Sequence, residues 1–303
     1  MIIYNQIPVL KNTAIALGCF DGIHIGHQAV IDALHSRQAD RLDKAVFSFS
    51  DNLSFKKGAE HIASFEDKCE ILSEMGIGEL ILPSFASVKD DSPESFFEEI
   101  LIGRLDAKIL ACGENYRFGK RASGDCDLLR KMCEDRGIQC IVVPYVMHNG
   151  EIVSSSRIRE ALKKGNVEDA AAMLGRPFSY CFEVRHGRKL GRQLGTPTIN
   201  QHFPEGFLIP AYGVYASVTG IDGQNYPSVT NIGVKPTVGS AAPLSETWII
   251  GYNGDLYGRN IRVSLISFMR GERRFDSIDA LKEAIHSDSV KSVSLTRKFL
   301  SQR

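Results

Sequence analysis

The feature that most constrains this chain is a change of hydrophobic period part-way along it. Up to about residue 175 the apolar runs are short and continuous: Ala14-Ile15-Ala16-Leu17, Ala45-Val46-Phe47-Ser48-Phe49, Leu80-Ile81-Leu82, Ile109-Leu110-Ala111 and Ile141-Val142-Val143. Runs of this kind are expected of strands buried on both faces. Helical signals lie between them. Ser64-Phe65-Glu66-Asp67 resembles a capping box opening a helix toward Met75, with Gly76 as the stop, and Ser92-Pro93-Glu94 opens another with proline in its first turn. Strand and helix in alternation predict a parallel sheet wrapped by helices. Beyond Gly175-Arg176-Pro177 the period becomes two. Val214, Ala216 and Val218 alternate with Tyr215, Ser217 and Thr219, and Ile261, Val263 and Leu265 with Arg262 and Ser264. This predicts antiparallel strands with one wet face, turned at Asp222-Gly223 and Asn253-Gly254. Ser277 then opens a helix with Ile278, Leu281 and Ile285 on one face. A chain of 303 residues is long enough for two domains. We place a parallel α/β domain at 1–176 and a small antiparallel β-barrel closed by C-terminal helices at 177–303.

Composition narrows the partners. Lys+Arg 36 balances Asp+Glu 36, which argues against a protein living on nucleic-acid phosphates. No stretch approaches the roughly 20 apolar residues of a membrane span, and the opening Met1-Ile2-Ile3-Tyr4-Asn5-Gln6 lacks the basic start of a secretion signal. The 7 cysteines are odd in number and include no Cys-x-x-Cys pair, so free thiols in a reducing cytoplasm fit better than disulfides or a zinc cluster.

Three segments of the first half carry chemistry. After the first continuous run comes Gly18-Cys19-Phe20-Asp21-Gly22-Ile23-His24-Ile25-Gly26-His27. Two histidines three apart, where a helix should start, share one face. A helix N-terminus attracts phosphate, and Gly26 between the imidazoles allows close approach of a nucleotide. The alternatives are a zinc pair, for which third and fourth ligands are wanting, or incidental surface histidines. Gly113-Glu114-Asn115-Tyr116-Arg117-Phe118-Gly119-Lys120-Arg121 follows a strand end. Its glycine spacing and Arg121 exclude a Walker A loop. It falls where open parallel sheets bind ligands, or it is a glycine-bounded surface loop. Val153-Ser154-Ser155-Ser156-Arg157-Ile158-Arg159 is an anion-binding helix start or an ordinary serine cap.

Taken together, these segments resemble the HxGH-type adenylyltransferase half of the bacterial bifunctional riboflavin kinase/FAD synthetases. The second half agrees. Gly191-Arg192-Gln193-Leu194-Gly195-Thr196-Pro197-Thr198-Ile199-Asn200 resembles that family's kinase motif. Asn231-Ile232-Gly233, Pro236-Thr237, Ser245-Glu246-Thr247, Asp255-Leu256-Tyr257-Gly258 and Arg270-Gly271-Glu272 follow in family order. The resemblance implies a nucleotidyltransferase α/β domain and a flavokinase barrel. It also implies two consecutive reactions: riboflavin and ATP give FMN, then FMN and ATP give FAD and pyrophosphate. A monofunctional riboflavin kinase with an impaired N-terminal domain is the alternative.

By the same resemblance, His24 and His27 act at the ATP phosphates, and Gly18, Phe20 and Gly26 shape the pocket. Asn115 and Arg117 match the family's second nucleotide-binding motif, Asn115 contacting nucleotide or metal, while Ser154, Ser155 and Arg159 hold the triphosphate. In the kinase half Glu246 takes the base position, Thr198 and Asn200 match the magnesium ligands, and Gly187, Lys189 and Gly191 form a loop over the phosphates. Two departures stand out: Cys19 where the family commonly has asparagine, and Ser50-Asp51-Asn52 where relatives carry a proline-containing stretch.

Overall fold

The continuous apolar runs pair side by side, all parallel. In the computed structural model, which describes all residues except 37–38, 51–59, 188–194, 235–242 and 302–303, they form a six-stranded sheet. Its strands are β1 (Ile2–Tyr4), β2 (Thr13–Leu17), β3 (Asp43–Phe47), β4 (Glu79–Ile81), β5 (Ala107–Gly113) and β6 (Gln139–Val143), in the order β1-β4-β3-β2-β5-β6. Every pairing is parallel. β2 is wholly buried, as a central strand covered on both faces must be. Short β1, with Ile2 and Ile3 exposed, is an edge that the apolar runs did not announce.

Helices cover both faces. α1 (Ile25–Asp32) and α2 (Phe65–Glu74) follow β2 and β3, and Gly76 after α2 takes the left-handed φ of +76° expected of a stop. α3 (Pro93–Ser95) is capped by Ser92, whose side chain accepts from the Ser95 amide, and runs on as a wider π-helix over Phe96–Arg104. α4 (Cys126–Arg136) precedes β6, and a two-stranded hairpin, β7 (Met147–His148) with β8 (Glu151–Ile152), follows it. One apolar cluster, with Phe96, Phe97, Leu101 and Leu129, fills one side of the sheet; Phe20, Ile31, Leu34 and Leu72 fill the other.

The chain divides into two compact units: residues 1–59 with 65–154, and residues 60–64 with 155–303. The second opens with α5 (Ser155–Lys163) and α6 (Val167–Leu174). Its sheet has six strands: β9 (Ser179–Glu183), β10 (Thr198–His202), β11 (Gly213–Ile221), β12 (Gln224–Val234), β13 (Pro243–Ile249) and β14 (Asn260–Arg270). They run antiparallel in the order β10-β13-β12-β11-β14-β9. The two edge strands meet where the Arg185 amide donates to the Asn200 carbonyl at 2.8 Å, so the barrel nearly closes. Asp222 (φ +49°) and Gly223 (φ +78°) make the turn between β11 and β12, as predicted.

The alternation expected of β14 is present, with Ile261, Val263 and Leu265 buried and Arg262 and Ser264 less so, but the wet face expected of β11 is corrected by the structure. Ser217 and Thr219 are fully buried, as are Ser228, Thr230 and Thr247 opposite and beside them. The polar side of β11 points into the barrel, where hydroxyls satisfy one another: Ser217 with Thr230 at 2.7 Å, Thr219 with Ser228 at 2.7 Å, Thr230 with Thr247 at 2.9 Å and Tyr180 with Ser245 at 2.5 Å. Alternation reports two chemically different faces; it does not report which of them meets water. Val214, Ala216 and Val218 on the other face are buried as well. The 23-residue C-terminal helix, α7 (Ile278–Leu300), packs on this unit and is capped by Ser277, whose Oγ accepts from the Ala280 amide at 3.1 Å. The face predicted for it is corrected at its start: Ile278 is exposed, Leu281 and Ile285 are half-buried, and Ala284, Asp288, Ser289, Ser292 and Thr296 are buried.

Candidate functional site

In the first unit, β2 and β5 are neighbours, but the chain reaches β5 only after leaving β2 in the opposite direction through β3 and β4. Parallel sheets open a crevice at the carboxyl ends of strands where the winding reverses. The loops carrying residues 18–24 and 114–119 both leave from that point. The first is tightly held. Phe20 (φ +52°) and Ile23 (φ +40°) take left-handed backbone. That conformation costs on the order of 1–3 kcal/mol each and persists because both side chains are buried. The Phe20 ring lies over Gly18, where an added Cβ would stand 3.1 Å from it.

His24 is buried and caps α1, its Nδ1 accepting from the His27 amide at 3.2 Å. An accepting Nδ1 puts the proton of the neutral ring on Nε2. The two imidazoles are stacked, ring centres 3.6 Å apart and planes within 15°, and Gly26 lies so close beneath His24 that a Cβ there would come within 3.2 Å of the ring. Burial, then the charges of His24 and Lys68, hold the His27 pKa well below the ordinary imidazole value. His27 Nδ1 is buried and has no hydrogen-bond partner among the described residues.

The second loop is less enclosed. Asn115 is exposed and folds its Oδ1 back toward Gly113. Arg117 is exposed and pairs with Asp125 at 3.4 Å. The buried Cys126 thiol donates to the carbonyls of Gly113 (3.3 Å) and Glu114 (3.5 Å), tying the loop to α4. Ser154 ends the first unit, and Ser155 begins α5 of the second, where Arg159 Nε donates to the Glu60 carbonyl at 2.8 Å.

In the second unit, register assembles the predicted kinase residues. Asn200 on β10 lies directly across from Glu246 on β13, which lies across from Asn231 on β12; Thr198, two residues before Asn200, is on the same face. Gly187 closes over Asn200, since a Cβ there would stand 2.6–2.7 Å from its side-chain amide. Beside this row is a cavity of about 380 Å³ with Thr198 in its wall and Val184, Ile249, Tyr252, Leu256 and Tyr257 around it. Lys189, Gly191, Pro236 and Thr237 fall outside the described residues, as do Asp51 and Asn52.

Sequence reasoning missed two things. Lys68 on α2 reaches the turn after β2, and the pocket wall formed by Val184, Ile249 and Tyr252 closes beside Thr198. Their partners are remote in sequence, so spacing carried no signal for either.

These features define a chain with a nucleotidyltransferase-like parallel α/β unit and a second unit built on a flavokinase-like barrel. Comparison with known proteins agrees. A family model for FAD synthetase matches residues 6–157, and one for riboflavin kinase matches residues 174–296. A bifunctional riboflavin kinase/FMN adenylyltransferase of Pseudomonas fluorescens is 32% identical over 97% of this chain and 96% of its own length. One of Escherichia coli K12 is 32% identical over 92% of this chain and 91% of its own. A solved structure described as a macrolide-efflux protein from Streptococcus pneumoniae superposes with a TM-score of 0.86 at 28% identity, covering 96% of this chain and 98% of that one. Among the described residues no helix is long and apolar enough to cross a membrane. The chain belongs to the bacterial bifunctional riboflavin kinase/FMN adenylyltransferase family.

Proposed function

We propose that the chain makes FMN from riboflavin and ATP in its second unit and FAD from FMN and ATP in its first. The functional division is placed at 1–176 and 177–303. What carries the reading is the register that sets Glu246 across from Asn200 in the part matched by the riboflavin kinase model, together with an imidazole pair at the winding reversal in the part matched by the FAD synthetase model.

For phosphorylation, the ribityl hydroxyl attacks the γ-phosphorus of ATP, the bond from that phosphorus to the β-bridging oxygen breaks, and ADP leaves with the electron pair. The hydroxyl proton goes to the Glu246 carboxylate. Thr198 and Asn200 offer hard oxygens on one face, and the glycine at 187 leaves room for the Asn200 amide, so the pair fits magnesium. When bound there, magnesium neutralises charge on the phosphates. The apolar and aromatic cavity beside Thr198 suits a planar heteroaromatic ring of a substrate.

For adenylyl transfer, an FMN phosphate oxygen attacks the α-phosphorus and pyrophosphate departs with the bonding pair. The nucleophile is ionised at neutral pH, so no base is required. The task is to hold two polyanions together and stabilise the leaving group. His24 and His27 do this as hydrogen-bond donors, and the buried His27 Nδ1, which has no partner among the described residues, is the atom a ligand would satisfy. Gly18, Phe20 and Gly26 shape this cradle, with Asn115 and Arg117 on the neighbouring loop and Ser154, Ser155 and Arg159 contributing to the triphosphate. The test is chromatographic: riboflavin, ATP and magnesium should yield FMN and then FAD. FMN without FAD, even when FMN is supplied, would establish the monofunctional kinase instead.

A further inference from the structure

The imidazole pair cannot supply the charge that a polyphosphate demands. Two rings stacked at 3.6 Å repel when both are protonated, and burial already disfavours the charged form of His27. The cation comes from another element. Lys68, on α2, extends its ammonium to the exits of two strands: it donates to the Cys19 carbonyl at 3.0 Å, in the turn after β2, and to Ser48 Oγ at 3.3 Å, just past β3. Ser48 itself donates to the same Cys19 carbonyl at 2.9 Å. An ammonium has three protons; two are used, and the third has no protein acceptor among the described residues. The charge of Lys68 is felt at His27, and the carboxylate acting on Lys68 is Asp21, in the same turn.

We propose that Lys68 is the fixed cation of the first unit's cradle and binds the β,γ-phosphates of ATP, which leave as pyrophosphate. The inference rests on the adenylyl-transfer reading of that unit. The ammonium is held between the two strand-end loops by neutral acceptors, so an arriving polyanion meets a positioned charge with a donor to spare. Retained water contacts are fewer than on an exposed lysine, so the ligand regains for the ammonium what burial removes.

The experiment runs the reaction backwards on the full chain, FAD and inorganic pyrophosphate giving FMN and ATP. Lys68→Met should raise KM for pyrophosphate at least ten-fold while KM for FAD moves less than two-fold. Lys68→Arg should recover most of the loss, and riboflavin phosphorylation by both variants should match the parent within two-fold. A pyrophosphate KM within two-fold of the parent, or an equal rise in KM for FAD, overturns the assignment. Should Lys68→Met not fold, Lys68→Gln takes the same measurement. If the parent chain shows no pyrophosphorolysis, the adenylyl-transfer reading fails only when FMN and ATP also give no FAD. The assignment of Lys68 is then decided by melting: it stands if pyrophosphate raises the melting temperature of the parent and not of Lys68→Met, and falls if both respond alike.

Discussion

A methyl group at position 187 would stand 2.6 Å from Asn200 Nδ2, well inside contact distance, and the Asn200 side chain is buried against neighbouring strands with little room to yield. Gly187→Ala should therefore lower riboflavin phosphorylation at least ten-fold and leave FAD formation from added FMN unchanged, as separate assays of the two steps will measure. In the first unit the lowered pKa of His27 has a consequence for stability. Above pH 6.5, the ordinary imidazole value, the ring is neutral whether folded or unfolded and contributes nothing. Below it the unfolded chain takes up a proton that the folded ring refuses, so stability falls as pH drops, at up to about 1.4 kcal/mol per pH unit for one proton. His27→Asn should flatten that slope between pH 6.5 and 5, measured by urea unfolding of parent and variant. At this scale the sequence was informative where function demands odd local chemistry. Glycines pressed by neighbours at Gly18, Gly26 and Gly187 and histidines three apart all stand out. Lys68 and Tyr252 did not, because a lysine on a helix and a tyrosine in a loop are ordinary until folding brings their neighbours from 20 or more residues away.

Elements followed the same logic. The parallel strands were legible because burial on both faces requires uninterrupted apolar residues, as in β2, and the short edge β1 was not, because Ile2-Ile3-Tyr4 is too brief to carry a period. β11 was recognised as a strand and misread as half-wet, since serine and threonine serve equally on a surface and in a ladder of mutually bonded hydroxyls. The seam between β14 and α7 was invisible in the sequence. There Arg270 grips Asp288 through Nη2 at 2.7 Å and Nε at 3.2 Å, with both side chains largely withdrawn from water. Removing one partner of such a pair leaves the other charge stranded. Asp288→Ala should destabilise the second unit by about 3 kcal/mol, read from denaturant unfolding of the full chain. Replacing both residues with apolar ones should cost less.

At the scale of the molecule, two family models occupy successive stretches of one chain, and the imidazole pair of one chemistry and the Thr198, Asn200 and Glu246 row of the other belong to separate strand systems. His27→Ala and Glu246→Ala should therefore disable different steps. Neither variant alone should convert riboflavin to FAD, whereas the two mixed in one tube should do so through FMN released by the first. Chromatography of the flavins over time checks this, and failure of the mixture would mean that FMN does not leave the chain that made it. The division between the units is not a single cut along the polypeptide. Residues 60–64 belong with the second unit: the His61 amide donates to the Gly206 carbonyl at 2.7 Å, the Leu208 amide to the His61 carbonyl at 2.8 Å, and Lys163 pairs with Glu60 at 2.5 Å. During synthesis this short stretch leaves the ribosome more than a hundred residues ahead of the backbone it will pair with, so the leading half cannot finish its own contacts until the trailing half has emerged. A gene divided at the apparent border would give the trailing fragment an unmated backbone edge from its first moment.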